Sequence, residues 1–274
     1  MALPCNSLIP TGVSETPVTL AGKTLRLFAY KPVTFSAASP LFVVFHGVLR
    51  NADTYRDHAI PLGDRFNALI IAPLFDDAQF PTAKYQHGGV LSADGALAPR
   101  AEWTYTLVPQ LIAHLRQSEQ CAHLPCYLIG HSAGGQFVER MIAFSDQDAT
   151  RVIAANPGTH IFPTRDLPFA YGFGDLPTEV SDDAALQRYL AQPLTLYLGT
   201  ADDHPDEHFD DSPDAMRQGE SRYARGQALF AFAQNLAREK GWQCNWRLVT
   251  VAGVGHDHEK MFGAPEVARA LFGE

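Results

Sequence analysis

The chain has 274 residues, of which 46% are hydrophobic and 19% are charged, a composition typical of a globular protein with a full hydrophobic core. Its formal net charge is -9, so its surface would repel nucleic-acid phosphates and anionic lipid headgroups. We therefore expect neither a nucleic acid nor a membrane as a partner, and one domain over residues 1–274, because no linker or charge run divides the sequence.

The first residues contain no basic stretch followed by an apolar run, and no apolar stretch reaches the length of a membrane span. We therefore predict a cytoplasmic protein. Four cysteines are too few for a disulfide scaffold in a chain of this length. Either Cys121 and Cys126 form a small disulfide loop, or all four cysteines, including Cys5 and Cys244, are buried or free thiols.

Short apolar runs alternate along the chain with stretches of helical period. An alternating segment over 24–30 predicts an antiparallel edge strand. Continuous apolar runs predict strands buried on both faces, as in a parallel sheet covered by helices, over 41–45, 68–72, 126–129, 152–155, 194–198 and 246–251. Helical period predicts helices over 103–116, 133–144 and 223–240. This alternation indicates an α/β protein with a doubly wound, mostly parallel sheet flanked by helices.

Residues 156–192 break this alternation, because they are rich in proline, glycine and aromatic residues and show little helical period before Ser181. We predict an irregular insertion after the sixth strand of the fold, where such a segment can cover a substrate site as a lid. Aromatic side chains in and near it either line a pocket or pack in the core: Tyr105, Phe162, Phe169, Tyr171 and Phe173.

The pentapeptide Gly130-His131-Ser132-Ala133-Gly134 matches the pattern Gly-x-Ser-x-Gly, and it follows a predicted strand and opens a predicted helix. In this context the serine stands on a sharp, strained turn, and the small residues around it let strand and helix approach closely. The motif predicts Ser132 as the nucleophile of a serine hydrolase with an α/β-hydrolase fold. A glycine-rich turn with no catalytic role is the alternative.

A serine nucleophile needs a base, which in this fold follows the last strand. His256 occupies that place, whereas His258 is predicted to be a solvated residue of the closing helix. The acid belongs after the preceding strand, where Asp202 stands at the usual spacing past Gly199. We therefore choose Asp202 over Asp203, which we interpret as a surface carboxylate. Asp202 would orient His256 and stabilise its imidazolium.

Backbone amides must meet the charge that develops on the substrate's carbonyl oxygen. One donor is predicted at Ala133, directly after the nucleophile. The other is predicted at Val48, because Phe45-His46-Gly47-Val48 is similar to the His-Gly-x signature of esterases and lipases.

Residues 202–211 are dense in carboxylates and imidazoles, which are donor types that bind calcium or transition metals. Their spacing matches no familiar ligand pattern, and such runs are usually solvated loops. We therefore expect neither a metal nor a cofactor.

Several segments together resemble the bacterial α/β-hydrolases related to poly(3-hydroxybutyrate) depolymerases. The likeness runs from about residue 40 to 262. It is carried by Phe45-His46-Gly47, Arg50-Asn51-Ala52-Asp53-x-Tyr55-Arg56, Gly130-His131-Ser132-Ala133-Gly134-Gly135-Gln136, Ala155-Asn156-Pro157-Gly158, Gln218-Gly219-Glu220-Ser221-Arg222 and Val254-Gly255-His256-Asp257. The resemblance implies a serine esterase with Ser132, Asp202 and His256 as its triad.

Two departures from that family bear on the substrate. Val48 stands where the depolymerases often have a cysteine, and no secretion signal or substrate-binding domain is recognisable. We therefore expect small esters or soluble polyester oligomers rather than a crystalline polymer. A serine peptidase or amidase with the same triad, and a non-catalytic binding protein on this fold, are the alternatives.

Overall fold

A computed structural model describes residues 9–273 of the chain, so Cys5 and the first residues of the segment considered for a secretion signal lie outside the described part. Eight strands form a single sheet. They are β1 (Gly12–Leu20), β2 (Lys23–Lys31), β3 (Leu41–Phe45), β4 (Leu69–Leu74), β5 (Cys126–His131), β6 (Arg151–Ala155), β7 (Leu194–Gly199) and β8 (Arg247–Val251).

The strands are arranged in the order β1-β2-β4-β3-β5-β6-β7-β8. β1 and β2 pair in antiparallel fashion, β2 runs antiparallel to β4, and all later neighbours are parallel. This order confirms the predicted doubly wound, mostly parallel sheet. It also brings the carboxyl ends of β3, β5, β6, β7 and β8 to one edge, where ligands bind in open α/β sheets.

The prediction of the edge strand was wrong. The segment 24–30 lies within β2, and the edge is β1 instead. β1 exposes alternate residues to solvent and buries only Val18 and Leu20 at its end, with Pro17 beside them. Because so little of β1 is buried, its sequence has little of the hydrophobic alternation that predicts a strand. Pro17 is tolerated because β1 lies at the edge of the sheet.

Helices cover both faces of the sheet. They are α1 (Ala52–Phe66), α2 (Leu107–Ser118), α3 (Ala133–Phe144), α4 (Thr178–Ser181), α5 (Asp183–Leu190), α6 (Pro213–Met216), α7 (Arg222–Lys240), α8 (His258–Gly263) and α9 (Val267–Phe272). Helices α2, α3, α5 and α7 pack in one hydrophobic core, and α1, α8 and α9 pack in a second core on the opposite face. Neighbouring strand residues such as Phe42 and Val43 belong to different cores, because successive side chains point to opposite faces.

The insertion after β6 is irregular up to α4 and α5 and packs against α3 through buried polar contacts. Glu139 and His160 are fully buried, and their Oε2 and Nδ1 atoms lie 2.6 Å apart. Glu139 Oε1 also accepts a hydrogen bond from the Ile161 amide at 2.9 Å. Arg140 Nε donates to the Ala170 carbonyl at 3.0 Å. These bonds hold the segment to the helix that follows Ser132.

Two further features of the described residues bear on the sequence predictions. Cys121, Cys126 and Cys244 are free thiols, so the alternative of a Cys121–Cys126 disulfide loop does not hold. Within residues 9–273, no helix combines the length and apolar character that crossing a membrane requires.

Candidate active site

Ser132 lies on the turn between β5 and α3, with φ 57° and ψ -119°. A positive φ is strained for a residue with a side chain, and such strain is found at functional turns. Two glycines make the turn sterically feasible. A Cβ on residue 130 would lie 2.1 Å from the Gly134 carbonyl oxygen, and one on residue 134 would lie 2.2 Å from the Phe45 carbonyl oxygen.

We expect Gly130→Ala to lower the free energy of unfolding by about 3 kcal/mol or more, because its methyl group would force β5 and α3 apart. Urea unfolding followed by circular dichroism measures the change. Gly263→Ala is the matched control, because no atom beyond its chain neighbours and its own helix backbone lies within 4 Å of the methyl group it adds. A Gly130→Ala protein as stable as the control would contradict the close approach at this turn.

The structure brings Asp202 and His256 together at the carboxyl edge of the sheet. Asp202 follows β7 and is 3% exposed, and its Oδ2 accepts a hydrogen bond from His256 Nδ1 at 2.8 Å. Asp203, in contrast, has a half-exposed side chain that lies beside His204. His256 and Ser132 line the same cavity, although in residues 9–273 no hydrogen bond joins Ser132 Oγ to the imidazole. In enzymes without substrate this bond is often long and tightens on binding.

Arg222, which was not among the predicted site residues, lies beside the carboxylate of Asp202. Its guanidinium is buried, and Nη1 lies 3.4 Å from Asp202 Oδ1. Nη1 and Nη2 also donate to the two carboxylate oxygens of Asp206, both at 2.7 Å. These hydrogen bonds hold the pKa of Asp206 at about 2, below its ordinary value. The signal for Arg222 was its place in the Gln218–Arg222 segment that carried the resemblance.

Asn156 was likewise missed as a site residue. It follows β6, and its Oδ1 accepts a hydrogen bond from the Gly199 amide at 2.8 Å. Its Nδ2 donates to the Gly255 carbonyl at 3.0 Å. One side chain therefore joins the loop that carries Asp202 to the loop that carries His256.

His46 fixes the loop that carries Val48. Its fully buried ring has Nδ1 2.9 Å from the Gly47 carbonyl oxygen, and its Nε2 accepts from the Phe75 amide at 3.1 Å. Burial lowers the pKa of His46 to about 4, so at neutral pH the ring is neutral, with Nδ1 as donor. The Tyr85 hydroxyl donates to the His46 carbonyl at 2.8 Å.

The two predicted oxyanion donors both lie near Ser132. Val48 and Ser132 line the same cavities, and Ala133 is the first residue of α3, where the helix dipole favours negative charge. Neither amide hydrogen has a hydrogen-bond acceptor among the described residues. Both amides therefore have an unused donor hydrogen; Val48 lines the cavities, whereas Ala133 is fully buried and lines neither of them.

The prediction that His258 is a solvated helix residue was wrong. Its ring stacks on the Tyr55 ring at 3.9 Å, and its Nε2 lies 2.9 Å from His58 Nδ1. Burial lowers the pKa of His258 to about 4. The Tyr55 hydroxyl lies 3.1 Å from Nδ1 of the buried His131, so these rings form one wall beside His256. The place of His258 in the closing helix could not predict this contact, because the Tyr55 ring comes from α1, far away in the sequence.

Two cavities meet at Ser132. The outer cavity has a volume of about 290 Å³ and includes Tyr55, His131, Glu207, His256 and His258. The inner cavity, about 260 Å³, is more enclosed and is lined by Thr82, Gln86, His87, Gln136, Gly158, Thr159, Tyr171, His208, Asp210 and Arg222. Ser132 and Val48 line both, whereas His256, as far as the structure is described, lines the outer cavity alone.

Two other groups of residues were considered for a pocket or a metal site: the aromatic residues in and near the insertion, and the loop over 202–211. Of the five aromatic residues considered for a pocket, Tyr171 lines the inner cavity, and the others pack in or against the core. In the loop over 202–211, Asp206 pairs with Arg222, and Asp210 accepts a hydrogen bond from the Tyr171 hydroxyl. In residues 9–273 no three histidine, cysteine, aspartate or glutamate side chains converge as a metal site would require.

Known structures similar to this chain include two that cover nearly all of it. Poly(aspartic acid) hydrolase-1 from Sphingomonas sp. KT-1 is 32% identical, with a TM-score of 0.89 over 97% of this chain and 100% of that one. The poly(3-hydroxybutyrate) depolymerase LpqC from Bordetella parapertussis is 34% identical, with a TM-score of 0.88 over 99% of this chain and 96% of that one.

An S-formylglutathione hydrolase from Agrobacterium tumefaciens shares the fold at 16% identity, with a TM-score of 0.55 and 94% of each chain covered. No protein-family model matches the chain, and no curated protein does so either. The similarity at more than 30% identity thus extends over nearly the whole chain.

Proposed function

On the premise that the chain belongs to the α/β-hydrolases, in the poly(3-hydroxybutyrate) depolymerase-like group, we propose that this ester hydrolase uses Ser132 as its nucleophile. The observation that carries the proposal is the position of Ser132, which lies on a strained turn and lines the same cavity as His256. Asp202 accepts a hydrogen bond from Nδ1 of that histidine. This arrangement supports acyl transfer through a covalent intermediate.

In the proposed mechanism, His256 Nε2 accepts the Ser132 proton as the hydroxyl attacks the ester carbonyl. The oxygen becomes an oxyanion and accepts hydrogen bonds from the Val48 and Ala133 amides. Asp202 holds Nδ1–H of His256 and stabilises the imidazolium. His256 then returns the proton to the departing alcohol, and a water molecule that His256 activates releases the acid.

The cavities suggest how the substrate lies. The departing alcohol must take its proton from His256, so it belongs in the outer cavity, which His256 lines. The acyl group then lies in the inner cavity, on the other side of Ser132. Because polar side chains dominate that cavity, a long alkyl chain would leave them without hydrogen-bond partners. We therefore propose small esters or soluble polyester oligomers with short acyl units as substrates.

A series of p-nitrophenyl esters tests this proposal. We expect kcat/KM for the butyrate ester to exceed that for the decanoate ester by about tenfold or more, because the decanoyl chain would bury unpaired polar groups. A preference for decanoate would contradict the assignment of the inner cavity to the acyl group.

An amidase is the second candidate. One similar protein is named as a hydrolase of poly(aspartic acid), and the units of that polymer are joined by amide bonds. The same series includes p-nitrobutyranilide, which has the acyl group of the butyrate ester but an amine as leaving group. We expect the ester to be hydrolysed much faster. Equal turnover of the anilide would favour the amidase.

A further inference from the structure

Gln136 lies one helical turn after Ser132 on α3 and lines the inner cavity. Its Oε1 accepts hydrogen bonds from Arg140 Nη1 and from Thr159 Oγ1, both at 3.0 Å. Hydrogen bonding to these two neighbours therefore determines which way the amide faces.

Arg140 determines that orientation. It is 1% exposed, and within residues 9–273 no carboxylate pairs with it, so its charge depends on neutral acceptors. A guanidinium can only donate, so Thr159 Oγ1 accepts from Arg140 Nη2 at 2.9 Å and uses its own hydrogen toward Gln136 Oε1. A flipped amide would place its NH₂ group against Arg140 Nη1, so that two donors faced each other. Oε1 must therefore face Arg140.

The amide nitrogen consequently faces away from Arg140. A Cβ on residue 158 would lie 2.8 Å from Gln136 Nε2, so the nitrogen packs over Gly158, another residue of the inner cavity. Nε2 has no acceptor among the described side chains and backbone groups, and it is not sealed from solvent. Its two N–H groups are thus available to whatever occupies the cavity.

From this geometry we propose that Gln136 determines acyl specificity by donating a hydrogen bond to a carbonyl oxygen on the acyl chain of the substrate. This inference rests on the proposed function, which places the acyl group in the inner cavity. It names the substrate class as short acyl groups with a neutral acceptor, such as a keto, ester or amide oxygen.

The charges around the cavity favour a neutral acceptor over a carboxylate. The Asp210 carboxylate lines the same cavity and would repel an anion, and the N–H groups of the nearby Arg140 are already used on Gln136 Oε1, Thr159 Oγ1 and the Ala170 carbonyl. Arg222 also lines it, but Asp202 and Asp206 already share its charge. A substituent that only accepts hydrogen bonds and carries no charge therefore suits these surroundings.

Matched p-nitrophenyl esters test the proposal. The 4-oxopentanoate and 5-oxohexanoate esters carry a keto oxygen at two distances from the reacting carbonyl, and the pentanoate and hexanoate esters lack it. We expect kcat/KM to favour at least one oxo ester over its alkyl partner by about tenfold or more. The hemisuccinate ester, which ends in a carboxylate, should be hydrolysed more slowly than the 4-oxopentanoate.

Gln136→Glu is the informative variant, because a glutamate still accepts from Arg140 and Thr159 but offers no donor at neutral pH. We expect its oxo-to-alkyl ratio of kcat/KM to fall to about one or below. Gln110→Glu makes the same chemical change at an exposed position of α2 and should keep the wild-type ratio. Gln136→Met removes the donor without adding charge and should lower the ratio as well.

Three results would overturn the inference: equal kcat/KM for oxo and alkyl esters in the wild type, a preference that persists in Gln136→Glu, or a preference for the hemisuccinate. If hydrolysis is abolished by Ser132→Ala while no oxo preference exists, the inference fails and the proposed function stands. If hydrolysis persists in Ser132→Ala, both fail.

Discussion

Ser132→Ala should reduce kcat for hydrolysis of p-nitrophenyl butyrate by about 10⁵-fold or more, since removing a serine nucleophile abolishes the covalent route. The residual rate would come from binding and from the Val48 and Ala133 amides, which the substitution leaves in place. Steady-state assays at high enzyme concentration measure the residual rate. Mass spectrometry with an organophosphonate inhibitor provides a second readout, because a single adduct should form on Ser132 in the wild type and none in the variant.

Ser145→Ala is the matched control. Ser145 lies at the opposite end of α3, where its hydroxyl donates to the Met141 carbonyl at 2.9 Å. It should retain activity and organophosphonate labelling. Thermal unfolding of both variants separates lost chemistry from lost folding. Ester hydrolysis that continues in folded Ser132→Ala at a rate near the wild type would contradict the nucleophile assignment.

The fold was predictable because its signals are local. Continuous apolar runs identify buried parallel strands whatever surrounds them, and part of the crowding in the Gly-x-Ser-x-Gly turn involves residues close in sequence. The Gly130–Gly134 contact is of this kind. β1 escaped prediction because only the end of that strand is buried, so its sequence carries almost no hydrophobic alternation.

The surroundings of the candidate site depend on contacts between segments far apart in sequence. The ring of His258 is covered by Tyr55 from α1, and Arg222 from α7 reaches the loop after β7. No local pattern encodes either contact. The orientation of the Gln136 amide is a stronger example. It depends on the buried Arg140, which uses the Gln136 oxygen and the Thr159 hydroxyl as acceptors. A sequence identifies the types of chemical groups near a site more readily than their orientation.

The pair Asp202 and Asp203 offers the sharpest test of the acid. Asp202→Asn should lower kcat by about 10⁴-fold, whereas Asp203→Asn should leave it within about twofold of the wild type. The substitution is the same at adjacent positions, and only Asp202 is buried against His256. Parallel kcat measurements on p-nitrophenyl butyrate, with thermal unfolding of each protein, make the comparison.

The expected loss follows from the tautomer of His256. Asp202 accepts from Nδ1, which leaves Nε2 free to take the Ser132 proton. An asparagine can present its NH₂ group to Nδ1, and the ring then carries its proton on Nε2, where it cannot act as a base. The fold should survive, because Arg222 keeps both hydrogen bonds to Asp206 after the Asp202 charge is removed. An active Asp202→Asn beside an inactive Asp203→Asn would transfer the role of the acid to Asp203, and activity in both would mean that neither carboxylate orients the base.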